Sequence, residues 1–331
     1  MDTKIKLAIN WAGACGGCDV SILDLAEKLL DVVELADIVY WPVALDFKRS
    51  DLIRMEPHSI DIGLFNGAVR TSEQLEDALL LRERCKIMVA FGSCASFGGI
   101  PGLANCFTSE EILRTVYQDT ASTNNPQQIQ PTPSVEVNGK MLTLPEFFPA
   151  VQALNQVVDV DYFLPGCPPP FERVLDLVTL VKNYREGANL PPAGTTLALD
   201  KALCFECPRQ QRMSQQLSIP EIHRPHEIFI DPDKCFLEQG LICMGPATRG
   251  GCGFTCIQAN MPCRGCFGPV QDMFDQGAEA ISAIGSLLGD NDDYKPQQLI
   301  PKIARDLKDP LGTFYRFTLA QAILSRKVID T

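Results

Sequence analysis

Short apolar runs alternate with amphipathic stretches through the first 190 residues. Ile5–Ile9, Asp37–Trp41, Ile60–Phe65, Ile87–Phe91 and Val160–Leu164 have the length and aliphatic content of buried strands. Between them, Ile22, Leu25, Leu29 and Val32 or Val33 recur at helical spacing. Thr71, with Gln74 three residues on, opens a run carrying Leu75, Leu79 and Leu80 in the manner of a capping box. Pro170 stands at the first turn of a further helical pattern, through Val174, Leu177, Val178 and Val181 to Gly187. Such alternation predicts right-handed βαβ units and an α/β fold with a flavodoxin-like, mostly parallel sheet, whose functional loops follow the carboxyl ends of the strands.

Residues 119–133 are polar and Pro-rich, and the alternating positions around Asn138-Gly139 after them signal a hairpin, so this segment reads as a surface insertion. The Gly/Pro-rich stretch Gly187–Gly194 cannot continue a helix and reads as a linker. It divides the chain into a flavodoxin-like domain, 1–190, and an irregular C-terminal domain, 191–331. In the latter, Gln271–Leu288 carries a helical pattern and Pro301–Leu324 a weaker one, interrupted at Pro310-Leu311-Gly312.

The 331 residues are enough for two separate cores. A net charge of −12, most of it in residues 1–190, repels phosphate backbones and anionic membrane surfaces, which argues against nucleic acid as a partner. No apolar run approaches the roughly eighteen residues of a membrane span. The first residues show neither a signal-peptide core nor a twin-arginine pair, so a cytoplasmic location is expected. In that reducing compartment, 14 cysteines point to metal binding rather than to disulfides.

Their placement sharpens this. Cys15-Gly-Gly-Cys18 follows the first strand, Gly92-Ser93-Cys94 the fourth, and Pro165-Gly166-Cys167-Pro168 the fifth. Thiols from three strand ends therefore reach one sheet edge, and four thiolates suit zinc or a 4Fe-4S cluster. The flanking glycines leave room for backbone N–H groups beside cluster sulfides. Downstream come Cys204-x-x-Cys207, Cys235, Cys243, Cys252, Cys256 and Cys263-x-x-Cys266, enough thiols for two more such sites. Two bland readings stand beside the cluster reading. Cys15 and Cys18 alone could be a redox dithiol, and the eight later cysteines could hold structural zinc. Cys85 and Cys106 are left over and read as structural. His223 and His226 have metal-like spacing but lie apart from the cysteine pairs, and His58 needs no role.

At these residues the sequence resembles the small, electron-transferring subunit of NiFe hydrogenases. Trp11-x-Gly13-x-Cys15-x-Gly17-Cys18, Gly92-x-Cys94 and Gly166-Cys167-Pro168-Pro169 match that family's motifs in order. The resemblance implies that Cys15, Cys18, Cys94 and Cys167 hold a proximal 4Fe-4S cluster. It assigns Cys252, Cys256, Cys263 and Cys266 to a medial cluster and Cys204, Cys207, Cys235 and Cys243 to a distal one. Cys204 stands where many members have histidine. Cys256 stands where the common respiratory members have a proline that leaves the medial cluster one iron short, so three complete 4Fe-4S clusters are implied. All-thiolate ligation keeps reduction potentials low, because anionic ligands disfavour adding an electron.

No nickel site is implied on this chain, because every paired Cys-x-x-Cys is already used; the NiFe centre would lie on a large-subunit partner. All-cysteine ligation without an export signal resembles the cytoplasmic hydrogenases whose partners include a 2Fe-2S protein and a heterodisulfide reductase. Deazaflavin- and NADP-reducing enzymes are the next alternative, and a non-hydrogenase iron-sulfur relay the one after. The related respiratory complex I subunit has an adjacent Cys-Cys pair, whereas Gly16-Gly17 separates the cysteines here.

Overall fold

The computed structural model describes residues 4–214, 217–219, 221–288, 301 and 305–327. Its strands are β1 (Ile5–Trp11), β2 (Ala36–Tyr40), β3 (Ile60–Asn66), β4 (Val69–Thr71), β5 (Cys85–Phe91), β6 (Ser134–Val137), β7 (Lys140–Thr143), β8 (Phe147–Gln152), β9 (Tyr162–Leu164) and β10 (Thr195–Thr196). Six of them form a parallel sheet in the order β10-β9-β5-β3-β1-β2. Without its edge strand β10, that is the flavodoxin order, with all five predicted strands in place.

Strand period dictates the two cores. Leu7 and Ile9 of β1 point to one face with Ile62, Leu64, Val89 and Phe91. Ala8 points to the other with Phe65, Met88 and Ala90. The helices α1 (Gly17–Leu23), α2 (Leu29–Leu35), α3 (Arg49–Ile53), α4 (Ser72–Arg84), α5 (Ser93–Phe97), α6 (Ser109–Arg114) and α7 (Phe171–Arg185) complete this part. From α7, Val174, Leu177, Leu180 and Val181 cover the first face, each contributing about 1.5–3 kcal/mol by its burial. Ala78 and Leu81 of α4 cover the second.

The Thr71 capping box forms as predicted: Gln74 N donates to Thr71 Oγ1 at 3.4 Å and Thr71 N to Gln74 Oε1 at 3.1 Å. The predicted hairpin also forms, with Val137 opposite Lys140 across Asn138-Gly139, both at positive φ as a tight two-residue turn requires.

Two local readings differ from the structure. The Ile22–Val33 pattern is two helices rather than one, parted by a 3-10 turn at Ala26–Lys28 where Ala26 has φ 50°. The break lets Leu25 drop into the core, 2% exposed. Cys85 both ends α4, as its C-cap with N–H directed to Leu81 O, and opens β5. The Gly/Pro-rich stretch is fastened to the sheet: Tyr162 Oη donates to Pro191 O at 2.7 Å, Gly194 N to Asp161 O at 2.7 Å, and β10 follows at once. A second small sheet, β4 with β8, had no clear signal because each strand is short and irregularly paired.

The later part is built from 3-10 turns and short helices around a core that includes Leu203, Phe236, Leu241, Met244, Ile257 and Phe314. Its helices are α8 (Thr255–Gln258), α9 (Gln276–Gly285) and α10 (Pro310–Phe314). Helix α9 is shorter than its pattern because Asp275 caps it, accepting from Ala278 N at 2.9 Å. The weaker Pro301–Leu324 pattern is helical at α10, and its residues 302–304 lie outside the described residues. Among the described residues no helix is long and apolar enough to cross a membrane.

Candidate metal centres

Parallel strands place their carboxyl ends together, and three of those ends carry cysteine. Cys15 follows β1 in an exposed loop, Cys18 lies buried in the first turn of α1, Cys94 sits in α5 after β5, and Cys167 follows β9. The loops are laced to one another. Gly92 N donates to Leu164 O at 2.8 Å, Ser93 N to Gly166 O at 2.8 Å, and Gly166 N to Ser93 Oγ at 3.2 Å. Gly13 and Ala68 exchange two backbone hydrogen bonds of 3.0 and 3.1 Å, which holds the Cys15 loop against the end of β3. Beneath Cys18, the buried Asp19 carboxylate accepts from Trp41 Nε1 at 2.8 Å and from Asn66 Nδ2.

The four thiols are electrostatic neighbours. Burial, then repulsion from Cys94, Cys167, Asp19 and Cys15, pushes the Cys18 thiol far up. Burial, followed by Cys167 and Cys15, pushes Cys94 up to about 12. Glycines sit where side chains would strike sulfur. A Cβ on Gly92 would fall closer than 3 Å to Cys18 Sγ, and one on Gly99 would lie 2.5 Å from Cys94 Sγ. Gly17 N donates to Cys15 Sγ at 3.5 Å.

A second group lies directly behind the first. Cys252, Cys256, Cys263 and Cys266 line a cavity of about 370 Å³ whose wall also includes Cys167, Pro168, Phe254 and Phe267. Burial raises the Cys266 thiol to about 12, assisted by Cys252, Cys256 and Cys167, and the Cys167 N–H offsets part of this by donating to its sulfur. Ser93 Oγ donates to Cys266 O at 2.5 Å, so one residue links the two thiol groups. Cys263 is pushed well up by burial and by Cys243 and Cys266; the Gly265 N–H and the Thr248 hydroxyl act in the opposite sense.

The third group follows through Cys243. Burial raises Cys204 to about 12, with Cys243, Cys235 and Cys207 adding to it. Cys243 rises to about 11 for the same leading reason, against donation from the Gly245 and Cys263 N–H groups. A Cβ on Gly245 would lie 3.1 Å from Cys204 Sγ and 3.5 Å from Cys243 Sγ.

Neutral thiols gain nothing from this crowding, and four thiolates can share such a site only around a positive centre. The glycine openings and N–H donors fit an iron-sulfur cluster, whose sulfides need backbone approach. The leftover cysteines sit elsewhere. Cys85 is fully buried within the sheet, raised to about 11 by desolvation, and Cys106 ends the 3-10 turn Ile100–Cys106. His58 Nδ1 faces Cys85 O at 3.4 Å. His223 lies 3.8 Å from Glu221, and His226 is exposed. What sequence reasoning missed was Asp19 as the buried anchor of the Cys18 turn, and Ser93 as a link between groups; Asp19 directly follows a cysteine pair, the one signal that could have marked it.

The chain is similar to several known proteins. The family described as NADH ubiquinone oxidoreductase, 20 Kd subunit, matches residues 15–181. An iron-sulfur subunit of the F420-non-reducing hydrogenase of Archaeoglobus profundus is 40% identical over 329 residues, 98% of this chain and 99% of that protein. The corresponding subunit of the F420-non-reducing hydrogenase of Methanothermobacter marburgensis is 37% identical over 333 residues, 99% and 98% of the two chains. Among solved structures, a chain of the NiFeSe hydrogenase from Desulfovibrio vulgaris Hildenborough shares the fold. Its TM-score is 0.52 at 16% identity, covering 82% of this chain and 95% of that one.

Proposed function

Because the chain belongs to the iron-sulfur, small subunits of the F420-non-reducing hydrogenases, we propose that it conducts electrons from hydrogen oxidised on a large-subunit partner through three 4Fe-4S clusters. Cys15, Cys18, Cys94 and Cys167 would hold the proximal cluster. Cys252, Cys256, Cys263 and Cys266 would hold the medial one, and Cys204, Cys207, Cys235 and Cys243 the distal one. Residues 1–190 would form the proximal-cluster domain and 191–331 the domain of the other two. The acceptor would be a cytoplasmic complex of heterodisulfide-reductase type reached through a 2Fe-2S protein, with deazaflavin- or NADP-reducing assemblies as the alternative.

The observation that carries this reading is the succession of thiol groups, each adjoining the next: Cys167 beside Cys266, and Cys263 beside Cys243. When bound, each cluster supplies reversible one-electron transfer. The chain's own residues do the rest. Twelve thiols would fix the positions, and the N–H groups of Cys167, Gly245 and Gly265 donate to sulfur, a lever by which a protein sets cluster potential.

The test is an iron, zinc and acid-labile sulfide count on protein purified without oxygen. About twelve irons and twelve sulfides per chain, with nickel in the copurifying subunit, are expected. Zinc without labile sulfide would overturn the proposal.

A further inference from the structure

Outside the thiol groups, one cavity concentrates positive charge in a chain whose net charge is −12. It has a volume of about 380 Å³, within the range of small-molecule sites. Half-buried Arg264, Arg316 and His223 line it, and Arg224, His226 and Lys308 stand exposed at its edge. Its position follows from the chain. Arg264 lies inside the Cys263–Cys266 loop, His223 pairs along Leu241 two residues before Cys243, and Arg316 comes from the turn after α10.

Beside Arg224 stands Glu227, which accepts from the Arg224 backbone N–H at 2.8 Å. No ion pair to Arg224, Arg264, Lys308 or Arg316 occurs among the described residues. Among the described residues, Arg316 spends only its Nε, donating to Gly312 O at 2.8 Å. Arg264 and Arg316 are close enough to repel each other. The two acids in the lining are engaged elsewhere: Asp306 pairs with Arg305 at 3.0 Å, and Asp309 caps α10 by accepting from Gly312 N at 2.8 Å. Glu221, outside the lining, stands 3.8 Å from His223. Two half-buried arginines lining one cavity match a compact dianion, which guanidinium forks bind by paired hydrogen bonds.

We propose that this cavity binds a phosphorylated small molecule, its phosphate held between Arg264 and Arg316 with Lys308 and Arg224 at the mouth. Arg264 also interacts with the sulfurs of Cys243, Cys256 and Cys263. Its positive charge favours electron uptake there, and a bound phosphate screens that charge, lowering the neighbouring potentials. This electrical consequence rests on the cluster assignment above; binding itself does not.

The test uses the intact hydrogenase complex, purified without oxygen, and inorganic pyrophosphate as the probe, titrated calorimetrically at ionic strength held constant with sodium chloride. One saturable site per chain is expected. Arg316→Gln should weaken it about tenfold or more. Lys308→Gln, at an exposed position that does not endanger folding, should weaken it less, and Arg54→Gln on the far domain should leave it unchanged. Absence of saturable binding, or binding indifferent to both Arg316→Gln and Lys308→Gln, overturns the site. Citrate binding as tightly as pyrophosphate overturns the phosphate assignment. Followed by EPR, pyrophosphate should move a cluster midpoint downward in the wild type and not in Arg316→Gln; an unmoved or raised midpoint overturns the coupling. Failure of the conduction reading would appear separately, in the iron and sulfide count.

Discussion

Replacing Gly92 by alanine tests whether the glycines around the first thiol group exist to admit sulfur. The perturbation is a single methyl group, and it meets two obstacles. Gly92 has φ 85° and ψ 165°, a region essentially confined to glycine that costs other residues about 1–3 kcal/mol. The new Cβ would also fall closer than 3 Å to Cys18 Sγ, where ordinary contacts lie at about 3.5–4.0 Å. The sulfur would have to move by at least about 0.5 Å, while metal–ligand distances tolerate about 0.2 Å.

Cys18 has little room to give way, since the next residue, Asp19, is only 3% exposed and tied to Trp41 and Asn66. Gly92→Ala should therefore purify with about four of about twelve irons missing, while circular dichroism shows the chain folded. Gly139→Ala is the matched control. It shares a positive φ, 75°, but nothing lies within 4 Å of its Cβ. It should cost about 1–2 kcal/mol of stability and no iron. A full iron complement with an unchanged EPR spectrum in Gly92→Ala would refute the reasoning.

Other expectations follow from the same geometry. Cys256→Pro, at a first-turn position of α8 where proline is tolerated, should remove about one iron and give the EPR signal of a three-iron cluster; loss of all iron from that group, or none, counts against Cys256 as its fourth ligand. Cys85 is neutral in the folded chain up to about pH 11, whereas an ordinary cysteine thiol titrates at 9.0. The stability it contributes is therefore intact below pH 9 and falls by about 2–3 kcal/mol as pH rises from 9 to 11. Cys85→Ala should flatten denaturation midpoints over that window and leave the iron count unchanged, and an equally steep fall would exclude this origin. Asp161 accepts from Met88 N and from Arg82 Nη1, both at 2.7 Å, joining β9 to β5. Asp161→Ala should cost about 1–3 kcal/mol in urea melts, and a change under about 0.5 kcal/mol would show the pair to be dispensable.

Much of the sheet was legible because parallel strands buried on both faces are continuous apolar runs, and Ile60–Asn66 and Cys85–Phe91 are such runs. The Asn138-Gly139 hairpin was legible because its turn chemistry is local. The break at Ala26 was not, since burying Leu25 is a tertiary demand that helical spacing does not record. Which thiols are neighbours was visible in the first part, where strand order decides it. In the later part regular elements are few and short, and spacing alone left zinc open beside iron there. The cavity of Arg264 and Arg316 had no sequence signal at all, for its charges arrive from segments about fifty residues apart, and only folding brings them to one cavity.

One loop is held by a distant segment of the chain. Gly99 N donates to Phe317 O at 3.0 Å, Gln156 Nε2 to Ala320 O at 3.1 Å, and Gln321 Nε2 to Ser96 O at 3.2 Å across 225 residues. The loop carrying Cys94 is thus braced from outside its own sheet. Local order around Cys94 and the docking of residues 317–321 are therefore one cooperative unit, and loosening either end of these bonds should raise amide exchange at the other.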